Sequence, residues 1–192
     1  IAITGSNGKT TTKNILQHIL SKKYQTCFTQ GNLNNHIGVP LTLLSLRSHH
    51  KLAIIEMGAN HMGEIRELCE IAKPTHGIIT NIGDAHIGEF GGSKNILKAK
   101  SELYKYLKKN KGLIIYNYDD PLLKLEINSY TNKVEYNTPI YIENSSSDIL
   151  IKGSWAYTCS PNINIKTPDN IFIKTNIIGK YNINNIMAAI KI

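Results

Sequence analysis

Within its first 22 residues the chain runs through an apolar stretch, a glycine-rich turn and an amphipathic segment: IAIT, GSNG, then KTTTKNILQHILSK. That succession constrains the fold more than any other feature. A short apolar run that ends at glycine reads as a buried strand, and Ile15, Leu16, Ile19 and Leu20 recur at helical spacing over Lys9 to about Lys22. Strand, tight turn and helix in this order make the first half of a βαβ unit. The same alternation continues through KLAIIEM (51–57), a helix with Ile65, Leu68, Cys69 and Ala72 on one face and Pro74 beyond its end, and HGIITNIG. A helix near Asn95 to Lys108 and the strand GLIIYN (112–117) complete it. Residues 1–120 therefore predict an α/β fold: a mainly parallel, P-loop-type sheet flanked by helices.

After Pro121 the texture changes. YIEN, DILIKG, NINIKT and NIFIKTNI are short β-type runs separated by Asn, Ser, Pro and Asp, which predicts a small antiparallel β lobe over about 130–178. GKYNINNIMAAIKI then starts another helix. A chain of 192 residues suits one domain with at most a small lobe. Its first residue is Ile1, already inside an apolar run, so the natural polypeptide is expected to extend upstream.

Composition narrows the classes. The formal charge of +8 admits nucleic acid, an acidic membrane or phosphate-bearing small molecules as partners. No arginine-rich or aromatic-interleaved basic stripe is present, so nucleic acid is not expected. No run approaches the about 20 apolar residues of a membrane span, and no secretory leader is visible. Cys27, Cys69 and Cys159 lie far apart without a CxxC pair, which speaks against a disulfide framework or a zinc site and fits a reducing cytoplasm.

The turn Gly5-Ser6-Asn7-Gly8 leads into Lys9 and Thr10, which open the helix. Glycine reaches backbone angles closed to other residues, so successive amides can face a phosphate, and a helix N-terminus adds partial positive charge. Lys9 would reach the β and γ phosphates of a nucleotide, and the Thr10 hydroxyl would bind Mg²⁺. The general pattern G-x-x-x-x-G-K-[ST] is shortened here to G-x-x-G-K-T.

In an open parallel sheet, ligands gather beyond the carboxyl ends of the strands. Glu56 ends LAIIEM, and Asn81 to His86 (NIGDAH) follow GIIT, so both fall on the edge that holds the glycine turn. A carboxylate there is a hard ligand for Mg²⁺, and a neutral imidazole could complete the shell of a second metal. Taken alone, Glu56 reads equally as a solvated strand end, and His86 more readily as a structural histidine than as a ligand; their shared edge favours the ligand reading for both. Ile96, Lys100, Leu103 and Leu107 fall at i, i+4, i+7 and i+11, which puts Lys100 on an apolar face. It is either a snorkelling lysine at the core edge, or a partly buried amine nucleophilic enough to take up carbon dioxide as a metal-binding carbamate.

Together, TGSNGKTT, EMGANHMGEI, NIGDAHIGEFGG, AKSELY and GKYNINNIMAA resemble the central ATP-binding domain of the Mur ligases, the cytoplasmic amide-forming enzymes of peptidoglycan precursor synthesis. The resemblance covers nearly the whole chain, and the family's phosphate loop has the same shortened form. GNLNNHIGVPLTLL and EMGANHMGEI look most like the branch that adds D-alanyl-D-alanine (D-Ala-D-Ala) to the UDP-N-acetylmuramoyl (UDP-MurNAc) tripeptide. Sibling ligases and folylpolyglutamate synthases share the domain, and outside the ligases the alternative is a P-loop ATPase with a motor or binding role.

The resemblance implies ATP and Mg²⁺ as cofactors, the UDP-MurNAc-peptide and D-Ala-D-Ala as substrates, and an acyl-phosphate route. It implies Gly5, Ser6, Asn7, Gly8, Lys9, Thr10 and Thr11 around the ATP phosphates, with Lys9 on the γ-phosphate and Thr10 on one Mg²⁺. Glu56 would share that metal or bridge to it, His86 would bind a second Mg²⁺, and Lys100 would be the family's metal-binding carbamate. Asn182 and Asn185 would lie beside the adenine, Asn35 in a loop facing the muramoyl substrate, and Asn117, Asp119 and Asp120 on the nucleotide side. Tyr181, where relatives often have histidine or another aromatic, is given no catalytic role, and Ala99 stands where close relatives often have glycine. The family's N-terminal UDP-binding domain and its C-terminal domain, which closes over ATP and brings the amine, are not expected within residues 1–192. The isolated chain is therefore expected not to ligate.

Overall fold

The computed structural model describes residues 1–83, 93–142, 155–169 and 171–192. β1 (Ala2–Thr4) feeds the glycine turn and α1 (Lys9–Leu20), followed by β2 (Thr26–Phe28), α2 (Gly38–Leu44), β3 (Leu52–Glu56), α3 (Glu64–Ala72) and β4 (His76–Ile79). Next come α4 (Ser93–Lys100), α5 (Glu102–Lys109), β5 (Leu113–Asn117), α6 (Pro121–Ile127) and β6 (Lys133–Tyr136). These strands form one parallel sheet in the order β2-β3-β1-β4-β5-β6. β1 lies at its centre, with Ala2 opposite Ile55 on one side and Gly77 on the other.

Parallel strands covered on both faces read as continuous apolar runs, because successive side chains serve opposite cores. Ala2, Ile55, Ile79 and Ile114 pack with Ile65, Leu68 and Cys69 of α3 and Leu103 and Leu107 of α5. Ile3, Ile54, Ile78 and Ile115 face the other way, toward Leu16 of α1 and Ile183, Ile186 and Met187 of the last helix, α7 (Ile183–Lys191). Truncating one of these isoleucines to alanine costs about 2–5 kcal/mol. The central strands are therefore the rigid frame from which the site projects.

Two expectations shift. The segment 95–108 is two helices, α4 and α5, meeting at Ser101, although the i to i−4 bonds run on: Ser101 N donates to Leu97 O and Lys105 N to Ser101 O. The β lobe begins later than residue 130, because Lys133–Tyr136 pairs in parallel with β5 and belongs to the main sheet. The lobe proper is β7 (Ile140–Tyr141), β8 (Ala156–Cys159), β9 (Asn162–Lys166) and β10 (Phe172–Ile178), in the order β10-β9-β8-β7. Its two pairs β10-β9 and β9-β8 are antiparallel as expected, while β7 joins β8 in parallel. Tyr157, Ile163 and Ile165 tuck into the core beneath α7, which fastens the lobe to the domain.

One side chain shapes the sheet edge. The β4–β5 ladder is registered from His76 to Ile78, and just beyond it the Tyr104 hydroxyl of α5 stands between the strands. It accepts from Ile79 N at 3.2 Å and donates to Ile115 O at 3.0 Å. Burial pushes this phenol well above its ordinary pKa, so it remains the donor that the contact requires.

Candidate functional site

The glycine turn is built around two backbone positions that favour glycine. Gly5 has φ 146° and Gly8 φ 80°, and a Cβ would drive into Thr80 Oγ1 at the first and into the Asn185 amide at the second. Gly8 is also the N-cap of α1, so the first turn of that helix opens directly beneath the loop. The loop is stitched to the exit of β4. Ser6 N donates to Asn81 O, Asn7 N to Asn81 Oδ1, and Thr80 Oγ1 and Asn81 Nδ2 both donate to Asn7 O. Gly83 N donates to Ser6 Oγ at 3.0 Å. The cradle is thus preformed, and Lys9 folds over it, its ammonium 2.8 Å from Gly5 O and 3.2 Å from Ser6 O. Thr11 follows half-buried in the first turn.

Glu56 is no solvated strand end: it is 1% exposed. Its Oε1 accepts from the Thr10 hydroxyl at 3.1 Å and from Asn34 Nδ2 at 2.9 Å, and its amide donates to Thr29 Oγ1. Lys13 Nζ stands 3.3 Å from Oε2 and donates to Gly31 O at 2.7 Å. One hydroxyl and one carboxylate in contact at the helix N-terminus suit a hard cation that completes its shell with water and phosphate oxygens. Among the described residues no cluster of three or more His, Cys, Asp or Glu exists, so a Mg²⁺ here would rest on Thr10 and Glu56. His86 lies outside the described residues.

Lys9 and Lys100 share a cavity of about 390 Å³ with Asn34, Asn35, His36 and Glu64 among its walls. Lys100 is 4% exposed, and burial together with the Lys9 ammonium holds it down at about 8. Burial likewise lowers Lys9, opposed by the attraction of Glu56. The cavity wall is braced by Glu102, whose two oxygens accept from Gly63 N and Arg66 N and so cap α3 from the neighbouring helix. Asn35 Oδ1 accepts from Ile37 N and Gly38 N, which caps α2 and leaves the residue on the cavity rim.

On the other side of the loop, a second cavity of about 480 Å³ is lined by Thr80, Asn81, Asn117, Asp119, Tyr181 and Asn185 among others. Asn185 accepts from Thr12 Oγ1 and donates to Asn182 Oδ1, while Asn182 donates to Ile178 O and stands behind Asn185. The carboxylates of NYDD are already engaged. Asp120 caps α6 by accepting from Leu122 N and Leu123 N, with Pro121 at the first helical position. Burial would raise the Asp119 carboxyl, but donors from Thr138 and Asn137 outweigh it and hold the group below its ordinary value.

Sequence reasoning placed Asn81 on the edge that holds the turn, where it bonds Ser6 and Asn7, but missed Lys13, Asn34 and Glu102. Lys13 carried a usable signal, since it lines up with Leu16 and Leu20 at i+3 and i+7, as Lys100 does with its own apolar row. Asn34 and Glu102 act through loop and inter-element contacts that no periodicity encodes.

A preformed glycine turn at a helix N-terminus, a helix-mounted Lys-Thr pair and a strand-end carboxylate make up the arrangement of a nucleotide-binding α/β domain. The chain belongs to the Mur ligase middle-domain family, whose pattern it matches over residues 3–192. It is 38% identical over 190 residues to the UDP-N-acetylmuramoyl-tripeptide--D-alanyl-D-alanine ligase of Bacillus subtilis, a match covering 99% of this chain and 40% of that protein. Among solved structures it resembles MurF from Acinetobacter baumannii, with TM-score 0.79, 37% identity, and coverage of 99% of this chain and 41% of the other. It also resembles MurF ligase from Thermotoga maritima in complex with ADP, with TM-score 0.76, 28% identity, and coverage of 97% and 43%. The chain thus spans about two fifths of the length of these relatives.

Proposed function

We propose that residues 1–192 are the ATP-binding part of a larger ADP-forming ligase that joins D-Ala-D-Ala to a UDP-MurNAc tripeptide in the cytoplasm, during peptidoglycan precursor synthesis. One observation carries this reading. The Thr10 hydroxyl, the Glu56 carboxylate and the Lys9 ammonium converge at a shortened phosphate loop, beside a polar cavity that can admit a second anionic substrate.

In this reading a carboxylate oxygen of the muramoyl peptide attacks the γ-phosphorus and the bond to the ADP oxygen breaks, leaving an acyl phosphate. The amine of the dipeptide then attacks the acyl carbon, the carbon–oxygen bond to phosphate breaks, and the amine proton is lost as the amide forms. Two anionic reactants must meet, so the need is for fixed positive charge and alignment. Lys9 leaves the loop carbonyls for the phosphate, and the loop amides hold the remaining oxygens. Mg²⁺ on Thr10 and Glu56 would neutralise phosphate charge, with His86 and a Lys100 carbamate as ligands of a second ion. Asn35 sits on the acceptor side, and Asn185, backed by Asn182, on the side of the base. The flanking domains of the intact protein supply the UDP and amine sites.

The test is ATP-dependent phosphate release by the full-length protein with UDP-MurNAc tripeptide. Stimulation by D-Ala-D-Ala and not by single amino acids is expected. Stimulation by one amino acid would move the protein to a sibling ligase, and hydrolysis indifferent to the muramoyl substrate would make it a plain ATPase.

A further inference from the structure

The activation step proposed above uses Lys9, Thr10 and Glu56 and leaves Lys13 without a role. Yet Lys13 is 1% exposed, and a lysine is seldom buried so completely unless it is paired, because its ammonium gives up its hydration. Its contacts are specific. Thr10 and Lys13 lie one turn apart on α1 and take opposite oxygens of one carboxylate, the Thr10 hydroxyl at Oε1 and the Lys13 ammonium beside Oε2. The same ammonium donates to Gly31 O, while Asn34 Nδ2 donates to Glu56 Oε1 and Gly58 N to Asn34 O. Loop 29–37 is thereby fastened to Glu56 from both ends, and its residues Asn34, Asn35 and His36 wall the cavity that holds Lys9 and Lys100.

We propose that Lys13 is a positioning residue. Its ammonium anchors Oε2 so that Oε1 of Glu56 stays turned toward the Thr10 hydroxyl, and it ties that carboxylate to the loop on the acceptor side. A buried carboxylate with one oxygen held by a fixed cation offers the other in one orientation, and a metal ion arriving at Thr10 need not reorganise it first. Helix, strand end and cavity wall then move as one body. This role rests on the reading of Thr10 and Glu56 as the divalent-cation site.

The test is the Mg²⁺ dependence of ADP binding to the intact protein, read by calorimetry for the wild type, Lys13→Met, Glu56→Gln and the double variant. Lys13→Met is expected to raise the Mg²⁺ concentration that half-maximally tightens ADP binding at least about tenfold, with binding in EDTA held within about twofold of wild type. In the Glu56→Gln background, where the positioned group is gone, Lys13→Met is expected to add less than about a twofold change. Lys13→Arg, which keeps the charge, should recover part of the shift.

A full-sized shift in the Glu56→Gln background overturns the proposal, and so does an unchanged Mg²⁺ dependence. Tighter Mg²⁺ binding, the signature of a lysine that only competes with the metal, overturns it as well. If Lys13→Met fails to fold, Lys13→Arg in the two backgrounds carries the same comparison, since its shift must vanish with Glu56. A wild type whose ADP binding ignores Mg²⁺ would remove the metal site itself and Lys13's role with it, an outcome distinct from failure at Lys13 alone.

Discussion

The two flanks of the phosphate loop are built from different chemistry. On the β3 side, Lys9, Lys13, Glu56 and Lys100 bring ionic groups together in a largely buried space. On the β4–β5 side the cavity is walled by amides and hydroxyls, from Asn81, Asn117, Asn185, Thr80 and Thr138, and the carboxylates of Asp119 and Asp120 are occupied by neighbouring donors. Placing ions is costly, so they are concentrated where a ligand's own charges can answer them. Neutral amides, by contrast, can read an uncharged ring without paying a Coulombic penalty when the ring is absent. The loop lies on the border between a region built for charge and one built for shape and hydrogen bonding.

This contrast can be broken from its ionic side first. Lys9→Ala in the full-length protein is expected to lower ATP-dependent phosphate release by at least about a hundredfold, because the phosphoryl oxygens lose a fixed cation. Near-normal release would show that the ionic flank does not serve the phosphates.

Lys100 gives a subtler test through pH. Burial and the Lys9 charge hold it at about 8 against an ordinary 10.5, so protonated Lys100 destabilises the fold below pH 8. That cost shrinks as pH rises from 8 to 10.5, where the unfolded chain also loses its proton. Lys100→Met should therefore be more stable than the parent at neutral pH, by on the order of 1–3 kcal/mol, with the gain fading at alkaline pH. Chemical denaturation across that range measures it, and a gain independent of pH would place the effect in packing alone.

The neutral flank yields the smallest effect. Asp120→Ala removes the α6 cap and should cost about 1 kcal/mol in urea unfolding, with no dependence on Mg²⁺.

Much of this architecture was legible from residue order. β1, β3, β4 and β5 announce themselves as apolar runs because a doubly covered parallel strand has few polar positions, and Lys9–Thr10 marks the helix that β1 feeds. β2 and α2 were not foreseen. Thr-Cys-Phe is too short to show a period, and α2 packs seven residues around Pro40 with Leu41 and Leu44 exposed opposite buried Val39 and Thr42, so no clean apolar face appears. β6 falls within the range 130–178 expected for the lobe, but KVEY pairs with β5 as an edge strand of the larger sheet. At the site, Glu56 and Lys100 could be placed from strand end and helix face. The clamp of Lys13, Asn34 and Gly31 could not, since it depends on a loop whose path follows from hydrogen bonds rather than from pattern.

Tyr104 ties the ends of β4 and β5 to α5 behind the second cavity. Its phenol oxygen accepts from the Ile79 amide and donates to the Ile115 carbonyl, so one helix residue is bonded to both strands at the end of their ladder. From this contact the two strands run on to Thr80 and Asn117, both of which line the second cavity. Two strands that deliver residues to the cavity are thus pinned to a helix residue that is not among its lining side chains, much as a hidden bracket steadies a shelf.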